Sequence, residues 1–231
     1  MRLARCVEPE WLDVLDPDDP RASRSREDLQ RVNRVMGNAA ILTRALLKTR
    51  SPGPRLIVEL GAGDGTCLLR VIQQPTLRWP GGTIIFVDRQ SLVSRRTRET
   101  FNALGWAVET AEADAVAWLQ QDAPGTVDLM LANLFLHHFH TPQLTTLLTS
   151  VATSATLFVA CEPRRSYAAI AGSFLLGAIG CNDVSRHDAV ISVRAGFAGQ
   201  ELSALWPTAS RHRLEESAAG LFSHCFVAQR A

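Results

Sequence analysis

Apolar and polar positions along the chain change their period twice. Between residues 26 and 48, Leu29, Val32, Met36, Ala39 and Ala40 recur at spacings of three and four, with Glu27, Asp28, Arg31 and Arg34 on the other side. That period predicts one helix, closed by Ser51, Pro52, Gly53 and Pro54. The lead before it, to about residue 25, is rich in Asp, Pro and Arg and is expected to be irregular. The pattern then shortens. Apolar runs at 56–60, 83–87, 127–132 and 156–161 have the length and β-branched content of strands buried on both faces. A further strand is expected ahead of Asp114, and helical segments separate the runs. One opens at Thr141 and Pro142, a plausible cap and first helical position, and carries the stripe Leu144, Leu147, Leu148, Val151.

Strands alternating with helices imply a parallel sheet covered on both faces, the doubly wound α/β class. After an apolar helix at 167–179 the regularity breaks, and 181–207 reads as an insertion of short helices. The tail, 211–216 and 221–229, reads as two strands. The short connection at 217–220 favours an antiparallel hairpin over a crossover.

Composition narrows the function classes. Lys and Arg total 24 against 23 for Asp and Glu, so charge balance makes no case for nucleic acid. The five cysteines form no CxxC pair, and an odd number cannot all pair within one chain, so reduced, packed thiols are expected. No HExxH or comparable spacing occurs, and no metal site is expected. The opening residues hold no apolar run of signal-peptide length, and 167–179 is too short and interrupted to span a bilayer. A cytoplasmic location is the expectation.

The richest chemistry lies at residues 56–66, where an apolar strand runs through Glu59 into Gly61, Gly63 and Gly65 and then a helix. Glycines permit close backbone approach to a ligand, and the helix start offers free N–H groups to an anion. The spacing is GxGxG. Thr66 stands where the dinucleotide pattern GxGxxG requires glycine, which argues against a nicotinamide-dependent oxidoreductase. A second acid, Asp88, closes the next strand, where a carboxylate can accept both hydroxyls of a ribose. A third, Asp114, follows the next strand. It could meet an adenine amine or cap a helix.

Taken together, these residues resemble the cofactor motifs of the class I S-adenosylmethionine-dependent methyltransferases, over about residues 54–163 and the terminal hairpin. The resemblance implies a seven-stranded sheet with an antiparallel last strand, behind a helical extension at 1–53. It also implies S-adenosylmethionine as cofactor, with its methionine end against Gly61–Gly65 and Asn133, its ribose on Asp88 and its adenine near Asp114. Stretches at 25–38, 133–138 and 220–224 are similar to a group of small bacterial methyltransferases associated with type III polyketide synthase and aromatic-lipid pathways.

On the acceptor side, His137 and His138 follow the fourth strand. Adjacent residues cannot point the same way, so one of the two at most faces the cofactor. In the resembling fold Glu162, ending the fifth strand, would orient whichever histidine serves as base, with His138 the favourite. Arg186 and His187, followed by Asp188, supply a second candidate for acceptor contact and proton transfer. Phe174, Leu175, Phe197 and Trp206 are expected to wall an apolar pocket under a lid made by the N-terminal extension and the 181–207 insertion. The acceptor expected is a small, lipophilic, hydroxylated aromatic methylated on oxygen; methylation of carbon or nitrogen on another small molecule, or a non-catalytic cofactor-binding protein of the same fold, is the alternative. A nucleic acid is not expected, because Asn133 is followed by Leu-Phe-Leu rather than a Pro-Pro-aromatic motif.

Overall fold

The computed structural model describes residues 3–16, 18–49 and 53–231. Three helices come first: α1 (Trp11–Val14), α2 (Pro20–Met36) and α3 (Asn38–Thr49). Strand and helix then alternate through β1 (Leu56–Leu60), α4 (Thr66–Ile72), β2 (Gly82–Asp88), α5 (Arg95–Ala103), β3 (Trp106–Glu112), α6 (Ala115–Gln121) and β4 (Val127–Asn133). A single 3-10 turn, Leu136–His138, leads to α7 (Thr141–Ser154) and β5 (Ala155–Pro163). Then follow α8 (Tyr167–Phe174), a 3-10 segment Leu175–Ile179, α9 (Asp183–Ala195), α10 (Glu201–Leu205), β6 (His212–Ala219) and β7 (Ser223–Arg230).

The seven strands lie in the order β3-β2-β1-β4-β5-β7-β6. Strands β1 to β5 are parallel, β7 runs antiparallel to β5, and β6 antiparallel to β7. This is the expected doubly wound sheet with its terminal hairpin. The hairpin turns later than expected, because the ladder continues to Ala219 opposite Ser223 and Gly220, at φ 84°, takes the bend.

Alternation along the central strands sorts two cores. Val58, Leu60, Met130, Phe158 and Phe226 face α6, α7 and α10. Ile57, Leu129, Leu131, Leu157 and Val159 face α3, α4 and α5. Glu59 shares the parity of Ile57, and Asn133 that of Leu131, so both polar side chains turn to the α3–α4 face.

The N-terminal helix departs from expectation twice. It starts at Pro20, because the Asp19 carboxylate accepts from the Arg21 N–H at 2.7 Å and proline suits the first helical position. It also breaks at Gly37, whose φ of 71° ends α2 before α3 begins. Of the predicted stop, Ser51 and Pro52 lie outside the described residues. Helix α2 spans the carboxyl edge of the sheet. On one face of its middle turns the buried Asp28 accepts from the Asn182 N–H at 2.7 Å and the Ser185 hydroxyl at 3.0 Å. On another face of the same turns, Gln30 donates to Asp64 of the glycine loop and Arg26 reaches Gln90 at 3.3 Å.

Candidate active site

The glycine loop has a distinct demand at each position. A Cβ on Gly61 would land on the Phe135 ring, which packs over the turn. A Cβ on Gly63 would meet nothing within 4 Å, so this backbone faces open space. The Asp88 carboxylate anchors the loop: one oxygen accepts from Gly63 N–H at 2.9 Å, the other from Gln90 N–H at 3.0 Å. Gly63, Asp88, Gln90, Thr110 and Glu112 line a recess at the ends of β2 and β3. Nearby, Glu59 and Asn133 each bury an oxygen without a hydrogen-bond partner. Burial, then the charges of Asp64 and Asp88, hold the Glu59 carboxyl well above the usual carboxylate range. Buried orphan acceptors are costly unless something completes them. An ammonium group would do so. These residues therefore fit S-adenosylmethionine: orphan oxygens for its amine, an open glycine backbone, and an acid at the end of β2 with acceptor capacity left for hydroxyls.

Of the two roles open to Asp114, the structure shows the helix cap. One of its oxygens caps α6 by accepting from Val116 and Ala117 N–H at 3.0 and 3.1 Å, and the other pairs with Arg89 at 2.7 Å. Arg89 first, then the helix amides, hold this carboxyl below its usual range against some burial. The side chain's acceptor capacity is directed at its own helix start.

On the acceptor side the structure pairs one of the two histidines with Glu162. Glu162, fully buried, meets His137 rather than His138: its Oε2 lies 2.8 Å from His137 Nδ1. The same carboxylate accepts from the backbone N–H groups of Phe135 at 3.0 Å, Leu136 at 2.9 Å and His137 at 3.3 Å. One side chain thus fixes the whole 3-10 turn, just after Leu134 takes a left-handed φ of 52°. The other His137 nitrogen, Nε2, lies 3.4 Å from Glu10 Oε1, and Ser192 donates to that oxygen. Burial alone would push the His137 pKa down. Hydrogen bonds to Glu10 and Glu162, with their charges, outweigh it and raise the value to about 9. His138 is 28% exposed, with Nδ1 3.3 Å from Asp13 Oδ2.

Glu10 and Asp13 are the residues that sequence reading missed. They lie in a lead expected to be irregular, and no spacing ties them to residues more than a hundred positions away. The fold ties them down instead. Asp188 accepts from Trp11 and Leu12 N–H at 2.8 and 3.0 Å, capping α1 from α9. Arg5 donates to the carbonyls of Ala195, His137 and Phe139, and its guanidinium lies 4.7 Å from the Phe197 ring centre. Arg165 donates to the Leu3 carbonyl at 2.8 Å.

The acceptor contacts expected of the insertion are rearranged as well. His187 stacks on Trp11 with ring centres 3.7 Å apart, and its Nδ1 faces Asp188 at 3.0 Å, so it secures α1. Arg186 is exposed on α9, beside Gly177. Phe174 and Leu175 are exposed on the outer surface rather than walling a pocket. Trp206 is buried in the core beside α10, stacked on Phe158 with centres 5.9 Å apart and donating to Ser210 at 2.7 Å, so it walls no pocket. Its large apolar ring gains most from full burial, which overrides the surface role its position suggested.

Residues 57–155 match the family model described as a methyltransferase domain. No curated protein matches the chain. Among solved structures it is similar to an O-methyltransferase family protein from Burkholderia thailandensis at 17% identity and a TM-score of 0.62, covering 93% of this chain. This chain spans only 61% of the length of that protein. It is similar also to the plantazolicin methyltransferase BpumL in complex with SAH, at 12% identity and a TM-score of 0.64, covering 93% of this chain and 92% of the other. A third is magnesium protoporphyrin IX methyltransferase from Synechocystis, with SAH bound, at 11% identity and a TM-score of 0.57, covering 93% and 96%. At such identities the shared property is the fold. Among the described residues no helix is long and apolar enough to cross a membrane. Over residues 57–155, then, the chain is similar to a methyltransferase domain.

Proposed function

We propose that the chain methylates the hydroxyl oxygen of a small, lipophilic, hydroxylated aromatic, with S-adenosylmethionine as donor. The observation that carries this reading is the meeting of two half-sites at one sheet edge. The glycine loop, Asp88, Glu59 and Asn133 form the first, and the covered cluster of Glu10, Asp13, His137, His138 and Glu162 the second. Bound at the first half-site, S-adenosylmethionine supplies a methyl group on a positively charged sulfur. Asp88 and the backbone at Gly63 hold the nucleoside end, and Glu59 and Asn133 accept from the amine. A neutral phenol attacks poorly, so the acceptor proton must go to a nearby group, and general-base assistance contributes on the order of 10²–10⁴ in rate. His137 lies between two carboxylates and holds its own proton, so with Glu162 it positions the turn. His138, the accessible ring of the cluster, is the member that reaches the acceptor. An acceptor of the type III polyketide or aromatic-lipid kind fits this reading. So does the N-terminal extension, which covers the edge as a strap stitched through Asp28, Asp188, Arg5 and Arg165.

A product screen by mass tests it, offering phenolic, quinol and amine acceptors with S-adenosylmethionine. Gain of one methyl on a phenolic oxygen is expected. Methylation of amines alone would overturn the oxygen assignment, and cofactor turnover with none of the three would overturn the acceptor class.

A further inference from the structure

The cluster on the acceptor side has a composition that proton transfer alone does not require. Donor atoms of Glu10, His137 and His138 all lie within 4.8 Å of one another. The Glu10 Oε1 to His137 Nε2 separation, 3.4 Å, equals the edge of a tetrahedron whose bonds are about 2.0–2.1 Å, the usual length for zinc to nitrogen or oxygen. Asp13 Oδ2, 3.3 Å from His138 Nδ1, brings a further oxygen to the exposed side. Behind the cluster, Glu162 takes the other nitrogen of His137 at 2.8 Å, and Ser192 donates to Glu10. A carboxylate behind a ligating imidazole, with a hydrogen bond on the ligating carboxylate, is the outer support that metal ligands are given. Glu10 and His137 are buried at 8% and 3% exposure, unlike the solvated acidic groups that gather by chance on surfaces.

We propose that Glu10, His137 and His138 bind one divalent transition-metal ion of the zinc class, with a fourth position open to water or acceptor and Glu162 as the positioning residue. Two imidazoles with carboxylate oxygens, and no thiolate, suit zinc, cobalt or ferrous iron better than magnesium or calcium. The ion takes the place of the proton between His137 Nε2 and Glu10, and clasps the N-terminal strap to the 3-10 turn. The role of the ion in transfer rests on the function proposed above. An acceptor hydroxyl bound at the open position gives up its proton more readily, to the neighbouring Asp13 carboxylate, and His138 then works as a ligand rather than as a free base.

The site can be tested without any acceptor. The full chain, stripped with a chelator and dialysed, is titrated with Zn²⁺ and separately with Mg²⁺ by calorimetry, and with Co²⁺ by visible absorption. One Zn²⁺ per chain is expected, with Mg²⁺ at least a hundredfold weaker. The Co²⁺ spectrum should show ligand-field bands without thiolate charge transfer. Glu10→Gln and His138→Ala should each weaken Zn²⁺ at least tenfold, and Glu162→Gln by about 10–100-fold, the range for lost outer support. His137 is buried, so those three variants carry the test, each checked for wild-type near-ultraviolet dichroism. Absence of Zn²⁺ binding, equal affinity in Glu10→Gln and His138→Ala, or a thiolate band from Co²⁺ would overturn the site. Turnover lost on chelation and restored by Zn²⁺ supports the ion's part in transfer. Turnover indifferent to chelation removes that part and leaves the function proposed above standing. Zn²⁺ binding without methylation of any phenol does the reverse.

Discussion

The two halves of the site are built by opposite means. On the cofactor side the parts are near in sequence: Glu59, the loop to Gly65, and Asp88 come from two adjacent strand ends, and backbone groups do much of the work. On the acceptor side the parts are far apart, with 182 positions between Glu10 and Ser192, and side chains hold one another. A backbone cradle tolerates change around it as long as the turn survives. A ring of side chains depends on every member and on the segments that carry them. The first half therefore rests on local sequence, and the second on the fold as a whole.

That contrast can be broken by substitution, and Glu162→Ala should have the largest effect. It strands three backbone N–H groups and leaves His137 facing Glu10 alone. Removing one partner of such a buried set costs roughly 3–5 kcal/mol. Urea unfolding that shows a loss under about 1 kcal/mol would mean the turn holds itself, since a single unmet buried donor already costs about that much.

Asp88→Ala should come next and act on binding. Loss of one or two charge-assisted hydrogen bonds predicts cofactor affinity down by about 10–100-fold in calorimetry. Unchanged affinity would detach the ribose from β2. The glycines then separate packing from binding within one loop. Gly61→Ala forces Phe135 aside and should lower unfolding stability by about 1–3 kcal/mol, as overpacking does. Gly63→Ala meets no neighbour and should cost stability only about 1 kcal/mol for its left-handed backbone, while weakening cofactor binding more than Gly61→Ala does. The reverse ranking would place the ligand on Gly61. Smallest of all, Asp114→Ala should cost about 1 kcal/mol as a lost helix cap and shift cofactor affinity less than twofold. A tenfold drop in affinity would return Asp114 to the adenine.

What could be read from the sequence follows the same division. Strands β1, β2, β4 and β5 announced themselves as apolar runs because they are buried on both faces, and the loop from Glu59 to Thr66 because its chemistry is contiguous. The start of α2 was also legible in principle: Asp19 followed by Pro20 is a cap and a first helical position, overlooked among neighbouring acids and arginines. The break at Gly37 was hidden because the apolar spacing carries on across it. The partner of Glu162 could not be read, since His137 and His138 differ by one position and only the 3-10 turn decides which ring points inward. Glu10 and Asp13 had no local signal, because the contacts that position them come from α9. Trp206 misled for another reason: its segment is an insertion by pattern, yet its ring completes the core beside β5 and β7.

The ends of the sheet have a bearing on crowding. A seven-stranded sheet that does not close leaves two outer strands, β3 and β6, each with backbone groups open to a newcomer. On β3, Glu109 and Glu112 project outward, and on β6, Arg213 and Glu215 do so. A second copy attempting to extend the sheet through β3 would bring like charges together across the new ladder, a destabilising arrangement. Through β6 it would have to desolvate a mixed pair on each chain. Both borders thus discourage stacking of chains into fibrils, and a variant with Glu109 and Glu112 neutralised should lose solubility at high concentration before it loses its fold.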